Sequence, residues 1–546
     1  MEKRQELNKT LSPGAIWAVA VGSIIGWGCF IQSADWTERA GGPLPLMLGF
    51  LAGGLLMMVI GLSYSYMIAK FPVAGGEFAY AYKGFGGTAA YICGWMLSLG
   101  YLAIVALNAT AIPLLADYIF PGVFSRGYLY TIAGYDVYAG EVALSCFFIL
   151  LFGIMNYRGV KTAGQLQLVM VLIMCAAVAV AVGGTTVTGN LNPANLVPLS
   201  GDGKSFAEGF FSILALAPFL YVGFDCIPQA AEEYDFPPDK AKKLIVSALI
   251  VGAVIYSAMA LVTDAVLPWK EMRNLTDSTG APVRWFTGAV LEIAMGKVGV
   301  VFVAVAVMMG IFTGMNGFYM SSSRLIFGMA RANMLPKWFG KIHEKSKTPA
   351  NCIIFTMLIS AICPFFGREV INWVVDMCSV GTAFGYFFTC AGAYIVLKQE
   401  KEKSKMLRPG TALLGCGISV GILLLLVVPG SPAFMSVQSW VALIVWAGMG
   451  TGFYFLAAGA YRQLSEGAIG YLILGDEEGL DEEERKRYGI PIVVDPMPEA
   501  FRMEVLQSLQ EGKAKIVIEE VPVARAKKKT RTPAKPQLVG KLVLEN

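Results

Sequence analysis

"VGSIIGWGCF", residues 21–30, places Gly22, Gly26 and Gly28 inside an apolar run. Glycine weakens a helix interior by about 1 kcal/mol relative to alanine. A segment that only crossed a bilayer would gain nothing from three of them. Two readings follow. Gly22 and Gly26 have the spacing at which small residues let membrane helices approach closely. Alternatively, the helix comes apart here and its freed backbone groups line a polar cavity.

A second disturbed stretch favours the interruption. Residues 212–232 read "SILALAPFLYVGFDCIPQAAE". Pro218 removes an amide donor, and Gly223 relaxes the chain. Asp225 follows, and a charge within a span costs about 2.5–3.5 kcal/mol on insertion scales. One interrupted span at the start of the chain and another five spans later is the pattern of an inverted repeat with its site at mid-membrane.

The membrane itself is read from composition. The 546 residues are 56% hydrophobic and 15% charged, against about 25% charged in a soluble domain. Mean hydropathy is +0.60. About twelve apolar stretches are long enough to cross a bilayer. They lie near 15–33, 44–69, 89–119, 139–156, 164–186, 206–230, 244–267, 298–329, 352–366, 370–397, 411–428 and 438–460. The fold class expected is an all-α polytopic membrane protein. With the N-terminus in the cytoplasm, Lys and Arg on the inner pieces outnumber those outside by more than two to one. A multi-pass protein of the cytoplasmic membrane follows, with both termini inside and lipid as its surroundings. The divisions expected are an N-terminal segment 1–14, a core 15–397, two further helices 398–460 and a tail 461–546. That tail carries acidic clusters, the amphipathic "EAFRMEVLQSL", the alternating "KIVIEEVPV" and the basic "ARAKKKTRTPAK". Lys527, Lys528, Lys529 and Arg531 could touch anionic lipid.

Other classes find no footing. The ten cysteines fall in or beside apolar spans, where a free thiol acts as a small hydrophobe. Neither a disulfide framework nor a metal site is expected, and no cofactor. "GDGKS" (201–205) imitates a phosphate loop, but Pro198 stands where that pattern needs glycine. The chain has a single histidine, His343, and no H-E-x-x-H, so no enzyme is expected. A net charge of +4, with basic residues following topology, points to no nucleic-acid partner.

Five motifs resemble those of the amino acid–polyamine–organocation (APC) transporters. "GSIIGWGCF" resembles their first-helix signature, and "FPVAGGEFAYAYKGFG" (71–86) the stretch after their second helix. "NYRGVKTAGQLQ" (156–167) resembles their link into the fifth helix. "FLYVGFDCIPQAAEE" (219–233) and "NGFYMSSSRLIFGMARANMLP" (316–336) resemble their sixth- and eighth-helix patterns. The resemblance covers about residues 12–460. Trp27 and Phe78 depart from the residues usual at their positions.

The resemblance implies a five-plus-five inverted-repeat core with broken helices 1 and 6. It also implies a secondary transporter of an amino acid or related amine, working by alternating access. A nutrient sensor on the same scaffold, signalling through the tail, is the alternative. The substrate-binding residues expected are Gly22, Ser23, Ile24, Ile25, Gly26, Trp27 and Gly28 in the first break. In the second they are Phe219, Leu220, Tyr221, Val222, Gly223 and Phe224. Freed N–H groups of the first break would take a carboxylate, and freed carbonyls near Phe219–Val222 an ammonium. Trp27, Tyr221 and Phe224 are candidate walls. The gating or coupling candidates are Asp225, Glu232, Glu233, Ser322 and Arg324. Asp225 is expected to cap the resumed helix rather than touch substrate. Glu232 and Glu233 read either as a gate ion pair or as solvated end charges, Glu77 as a loop charge, and Arg324 as snorkelling or paired. The coupling partner is left between a proton and a sodium ion, or exchange. Ser321–Ser323 offer hydroxyls, and the fifth span, 164–186, has no lysine.

Overall fold

The computed structural model describes residues 4–132, 135–201, 203–276, 283, 285–400, 404–431, 434–490, 514–521 and 537–544. Ser12 caps the first helix by accepting from the Ala15 amide, with Pro13 in the first turn. That helix, α1 (Pro13–Ile25), stops at Gly26, whose φ of 52° and ψ of −154° no helix accommodates. The chain resumes as α2 (Gly28–Ile31) and α3 (Ser33–Ala40). Long helices α4 (Pro43–Lys70) and α6 (Gly87–Ile119) flank a short α5 (Gly76–Phe85). A hairpin of β1 (Tyr128–Ile132) and β2 (Tyr135–Tyr138) precedes α7 (Ala139–Arg158) and α8 (Val160–Val187).

The second disturbed stretch is also broken. It runs as α9 (Phe206–Leu214), α10 (Ala217–Leu220) and α11 (Cys226–Gln229), with turns between. Then follow α12 (Ala241–Val266), α13 (Phe286–Met295), α14 (Lys297–Arg331), α15 (Ala350–Ser360) and α16 (Val370–Gln399). The last long helices are α17 (Pro409–Val427) and α18 (Val437–Tyr461), followed by the short α19 (Glu466–Leu474).

Among the described residues, ten helices are long and apolar enough to cross a membrane. They coincide with ten of the expected spans. The other two, 15–33 and 206–230, hold no such helix because both are interrupted at the stretches quoted above.

Helix α6 lies deepest, with 89% of its most apolar window buried against 17% for α18. It packs on α14 and α16. Lipid offers no hydrophobic drive for helices to associate, so close backbone approach does that work. A Cβ at Gly381 of α16 would stand 2.5 Å from the Met96 carbonyl of α6. Helix α18 is tied to α6 by a reciprocal pair. Trp95 and Trp446 stack at 4.6 Å, and each indole N–H donates to the other's carbonyl at 2.9 Å. Large apolar side chains such as Leu55, Phe455 and Leu456 stay exposed, as a lipid-facing surface requires.

Arg4–Leu480 form one compact unit, and Asp481–Asn546 belong to another. The second contains α20 (Glu482–Tyr488), opened by an Asp481/Glu484 capping box. It also contains an antiparallel ladder of β3 (Ala514–Val521) and β4 (Gln537–Leu544). The expected amphipathic stretch at 499–509 and the basic run with Lys527, Lys528, Lys529 and Arg531 lie outside the described residues.

Candidate functional site

The two breaks meet. A Cβ on Gly223, where φ is 133°, would stand 2.6 Å from the Ile24 amide nitrogen and 2.7 Å from Ser23. Only glycine lets these segments touch. The first break lies equally close to α14, where a Cβ on Gly310 would stand 2.1 Å from the Gly26 carbonyl oxygen. The glycines of "VGSIIGWGCF" therefore divide the two readings between them. Gly22 is a packing glycine, pressed on Thr313 of α14, whose hydroxyl donates to the Gly22 carbonyl at 3.1 Å. Gly26 is the breaking glycine, with open space where its side chain would be.

That space is a cavity of about 50 Å³. At about 10–15 Å³ per enclosed water it holds a few waters. Ser23, Ile24, Ile25, Gly26, Trp27 and Gly28 line it from the first break, and Phe219 and Val222 from the second. Gln32 and Trp36 of the α2–α3 segment, Ile104, Leu107 and Asn108 of α6, Tyr256 of α12 and Val375 of α16 complete it. None of these carries a charge. Asn108 Oδ1 is buried with no hydrogen-bond partner among the described residues, while Ser23 Oγ lies against Gly317 of α14 and the Cys226 thiol. The Trp27 and Gly28 amides, and the carbonyls of Phe219, Tyr221 and Val222, make no main-chain hydrogen bond across the breaks.

Tyr256 ties the two breaks together. Its hydroxyl lies 2.8 Å from the Ile24 carbonyl oxygen, 3.3 Å from that of Ile25 and 3.0 Å from that of Leu220. No sequence signal marks Tyr256 or Asn108, each one of several polar residues in an otherwise apolar long helix.

Other expected residues point elsewhere. Tyr221 turns away from the cavity and donates to the Phe50 carbonyl at 2.7 Å. Phe224 inserts between Tyr64 and Tyr386, with ring centroids at 5.2 and 5.5 Å. Neither is a wall of the cavity, because the turn at 221–225 rotates them toward α4 and α16. Leu220, Gly223 and Gly22 sit behind the lining.

Asp225 occupies the residue before α11 but makes no capping bond. Its carboxylate reaches backward instead, with Oδ1 accepting from the Gly223 amide at 2.6 Å and Oδ2 from the Tyr101 hydroxyl at 3.1 Å. Glu77, expected as a loop charge, is fully buried, because α5 packs its first turn against α11. Glu77 accepts from Gln229 and, at 3.4 Å, from Tyr101.

Glu232 and Glu233 are not solvated end charges. Glu233 takes Arg324 Nε at 2.7 Å, both side chains being about 1% exposed. Glu232 takes Arg331 at 2.8 Å and Arg4 at 3.5 Å, and accepts from the amides of Leu7 and Ala74. Burial alone would raise the Glu232 carboxyl; Arg331, Arg4 and the two amides together hold it below its ordinary value. The amides of Thr10 and Leu11 donate to the Glu233 carbonyl, and Arg4 Nε reaches the Leu472 carbonyl at 3.4 Å. The N-terminal segment and the segment after α18 thus lie on one face of the bundle. Ser321, Ser322 and Ser323 bond back to their own helix at Gly317, Tyr319 and Met320, outside the cavity lining.

Two interrupted helices enclosing a cavity within a polytopic helical bundle define a membrane transport protein. The family model described as amino acid permease matches residues 11–452, and the chain belongs to that family, within the APC superfamily. It is 27% identical to the methylthioribose transporter of Bacillus subtilis over 477 residues, 85% of this chain and 96% of that one. It is 26% identical to a branched-chain amino acid permease of Lactococcus lactis over 407 residues, 72% of this chain and 83% of that one. Similarity extends to cationic amino acid transporter 6 of Arabidopsis thaliana, 23% over 396 residues, 72% of this chain and 66% of that one.

Proposed function

We propose that this chain is a secondary transporter carrying a small neutral amino acid, or a related small molecule, across the cytoplasmic membrane by alternating access. One observation carries the reading. The two breaks share a cavity, around which the Trp27 and Gly28 amides and the Phe219 and Val222 carbonyls make no main-chain hydrogen bond. Buried main-chain polar groups are nearly always satisfied, so freed groups around one space call for a ligand with its own polar groups. A carboxylate would accept from the Trp27 and Gly28 amides, and an ammonium would donate to Asn108 Oδ1 and the Phe219–Val222 carbonyls.

The ligand's side chain would lie among Ile104, Leu107, Phe219 and Val375. With no charged residue lining the cavity, a cationic side chain would be left unpaired at high cost. This favours a neutral substrate, as the names of the branched-chain permease and the methylthioribose transporter also do. Ten long helices and two interrupted segments make twelve crossings, and the bias of Lys and Arg puts both ends inside. The clusters Glu233–Arg324 and Glu232–Arg331–Arg4 then form the cytoplasmic gate and separate for release.

The test is thermal stability of the purified protein with L-leucine, L-alanine, L-arginine or methylthioribose. A ligand at 100 times its Kd stabilises by about 2.7 kcal/mol. Stabilisation by a neutral compound, with uptake of the same compound into proteoliposomes, is expected. A response to arginine alone would overturn the neutral assignment, and no binding or uptake of any of the four would overturn the reading.

A further inference from the structure

A second cavity lies away from both breaks, beside α19. Its volume is about 480 Å³, within the range that holds an organic ligand. Tyr82 and Lys83 of α5 form one wall. Tyr461, which ends α18, and Glu466 and Asp476, at either end of α19, form the other. The charges are of both signs, and none of the three is taken up by another. Lys83, Glu466 and Asp476 make no ion pair among the described residues. The Lys83 ammonium stands 5.6 Å from the centre of the Phe71 ring. Asp476 Oδ1 accepts from the Glu478 amide at 3.1 Å. Burial, then Tyr461, Glu466 and Asp476, push the Tyr82 phenol up to about 12, so both carboxylates act on the opposite wall.

The cavity continues toward the bilayer. Gly87 and Tyr461 also border a smaller cleft between α6 and α18, walled by Met334, Tyr454, Ala457 and Ala458. That cleft is apolar, and the two alanines leave a notch along α18. Helix α18 is the least buried of the long helices, with Phe455 and Leu456 exposed as a lipid-facing surface requires. A polar chamber at the helix ends that opens onto an apolar cleft has the shape of an amphiphile. An ammonium group would sit between the two carboxylates and the tyrosine rings, a phosphate beside Lys83, and a hydrocarbon tail along α18. A head group of net negative charge would meet both carboxylates. A trimethylammonium has no N–H to donate to them. The chemistry that satisfies both walls is a phosphate joined to a primary ammonium.

Helix α19 is also the element that holds the N-terminal segment. Its Leu472 carbonyl accepts from Arg4 Nε at 3.4 Å, and Arg4 reaches Glu232 at 3.5 Å. At the rim of the cavity the Tyr82 hydroxyl donates to the Glu466 carbonyl at 3.5 Å, which joins α5 to α19.

We propose that this cavity binds an aminophospholipid of the phosphatidylethanolamine class from the adjoining leaflet, and that the bound head group seats α19, and with it Arg4, on the bundle. The site needs only the membrane bundle; its effect on the gate rests on the transporter reading above.

The experiment takes full-length protein stripped of lipid in detergent and titrates it with dioleoyl phosphatidylethanolamine, phosphatidylcholine or phosphatidylglycerol. Native mass spectrometry reads the bound lipid. Both carboxylates are exposed, so the preference is modest. The ethanolamine lipid should bind about fivefold more tightly than the choline lipid, and the glycerol lipid more weakly still. In the double variant Glu466→Gln, Asp476→Asn that preference should vanish. Lys83→Gln should weaken the ethanolamine and choline lipids alike, by about threefold. Hydrogen exchange gives the second readout. The amides of Leu7, Thr10 and Leu11, which donate to Glu232 and Glu233, should exchange about threefold or more slowly with the ethanolamine lipid bound, and not in the double variant. Equal binding of the three lipids, or a preference that survives the double variant, overturns the site. Free phosphoethanolamine binding as tightly as the lipid overturns the membrane as the source. Selective binding with unchanged exchange overturns the link to Arg4. None of these measurements uses a transported compound, so a failure of the transporter reading shows in the uptake assay above and not here.

Discussion

Gly310 of α14 and Gly26 of the first break touch backbone to backbone, and a Cβ on Gly310 would stand 2.1 Å from the Gly26 carbonyl oxygen. The contact holds the break in place from behind, while the front of Gly26 faces the cavity. Gly26→Leu forces a branched side chain onto a φ of 52° and fills the space proposed for ligand. Its expected result is a folded, inserted protein that no longer binds. Gly310→Ala should weaken binding without entering the cavity, by displacing the break. Retained affinity in Gly26→Leu, measured by ligand-induced thermal shift, would mean that the glycine serves helix packing alone.

Asn108 lines the cavity, and its Oδ1 is buried without a hydrogen-bond partner among the described residues. Asn108→Leu keeps the volume and removes the acceptor. If that oxygen receives a ligand donor, the loss is about 1–3 kcal/mol, or roughly five- to 150-fold in Kd. Equal affinity in the variant, by isothermal titration, would move the ligand's polar end elsewhere.

Tyr256 reaches carbonyls from both breaks through one hydroxyl. Tyr256→Phe leaves the ring in its packing against Trp36 and Phe50. It strips a donor from buried carbonyls, at about 1–3 kcal/mol. The melting temperature should drop, and the breaks should become more susceptible to cleavage or labelling when ligand is absent.

The Glu233–Arg324 pair is buried on both sides. Removing one partner of such a pair costs about 3–5 kcal/mol, because the other charge is stranded. Arg324→Gln should therefore destabilise more than the double variant Arg324→Gln, Glu233→Gln. A double-mutant cycle on thermal unfolding measures the difference.

Glu232 titrates below its ordinary value of 4.5. A carboxyl whose folded value is depressed contributes stability that is complete above the unfolded value and fades as pH falls through the folded one. The stability gap between wild type and Glu232→Gln should stay flat above about pH 5 and close below about pH 4. A gap unchanged in acid would show that the ion-pair cluster does not hold this end of the bundle.

Most of the architecture is legible in the residue order. Apolar length marks ten helices, and Gly26, Pro218 and Gly223 mark where two more come apart. Local chemistry settles these, since a proline or a positive-φ glycine acts on its own turn. What the chain order leaves hidden is lateral. Glu77 reads as a loop charge because its neighbours in sequence are loop-like, yet α5 turns it inward onto Gln229 and Tyr101. Tyr221 and Phe224 lie within the break and still face outward from the cavity, because a turn, rather than a helix, sets their direction. Tyr256 and Asn108 do the reverse, entering from helices that nothing local distinguishes.

The grip of Arg4 on the Leu472 carbonyl and on Glu232 has a practical corollary for anyone purifying this protein. A fluorescent fusion or affinity tag joined directly ahead of Arg4 would crowd that anchorage. Tags for expression trials therefore belong at the other terminus, or need a generous spacer.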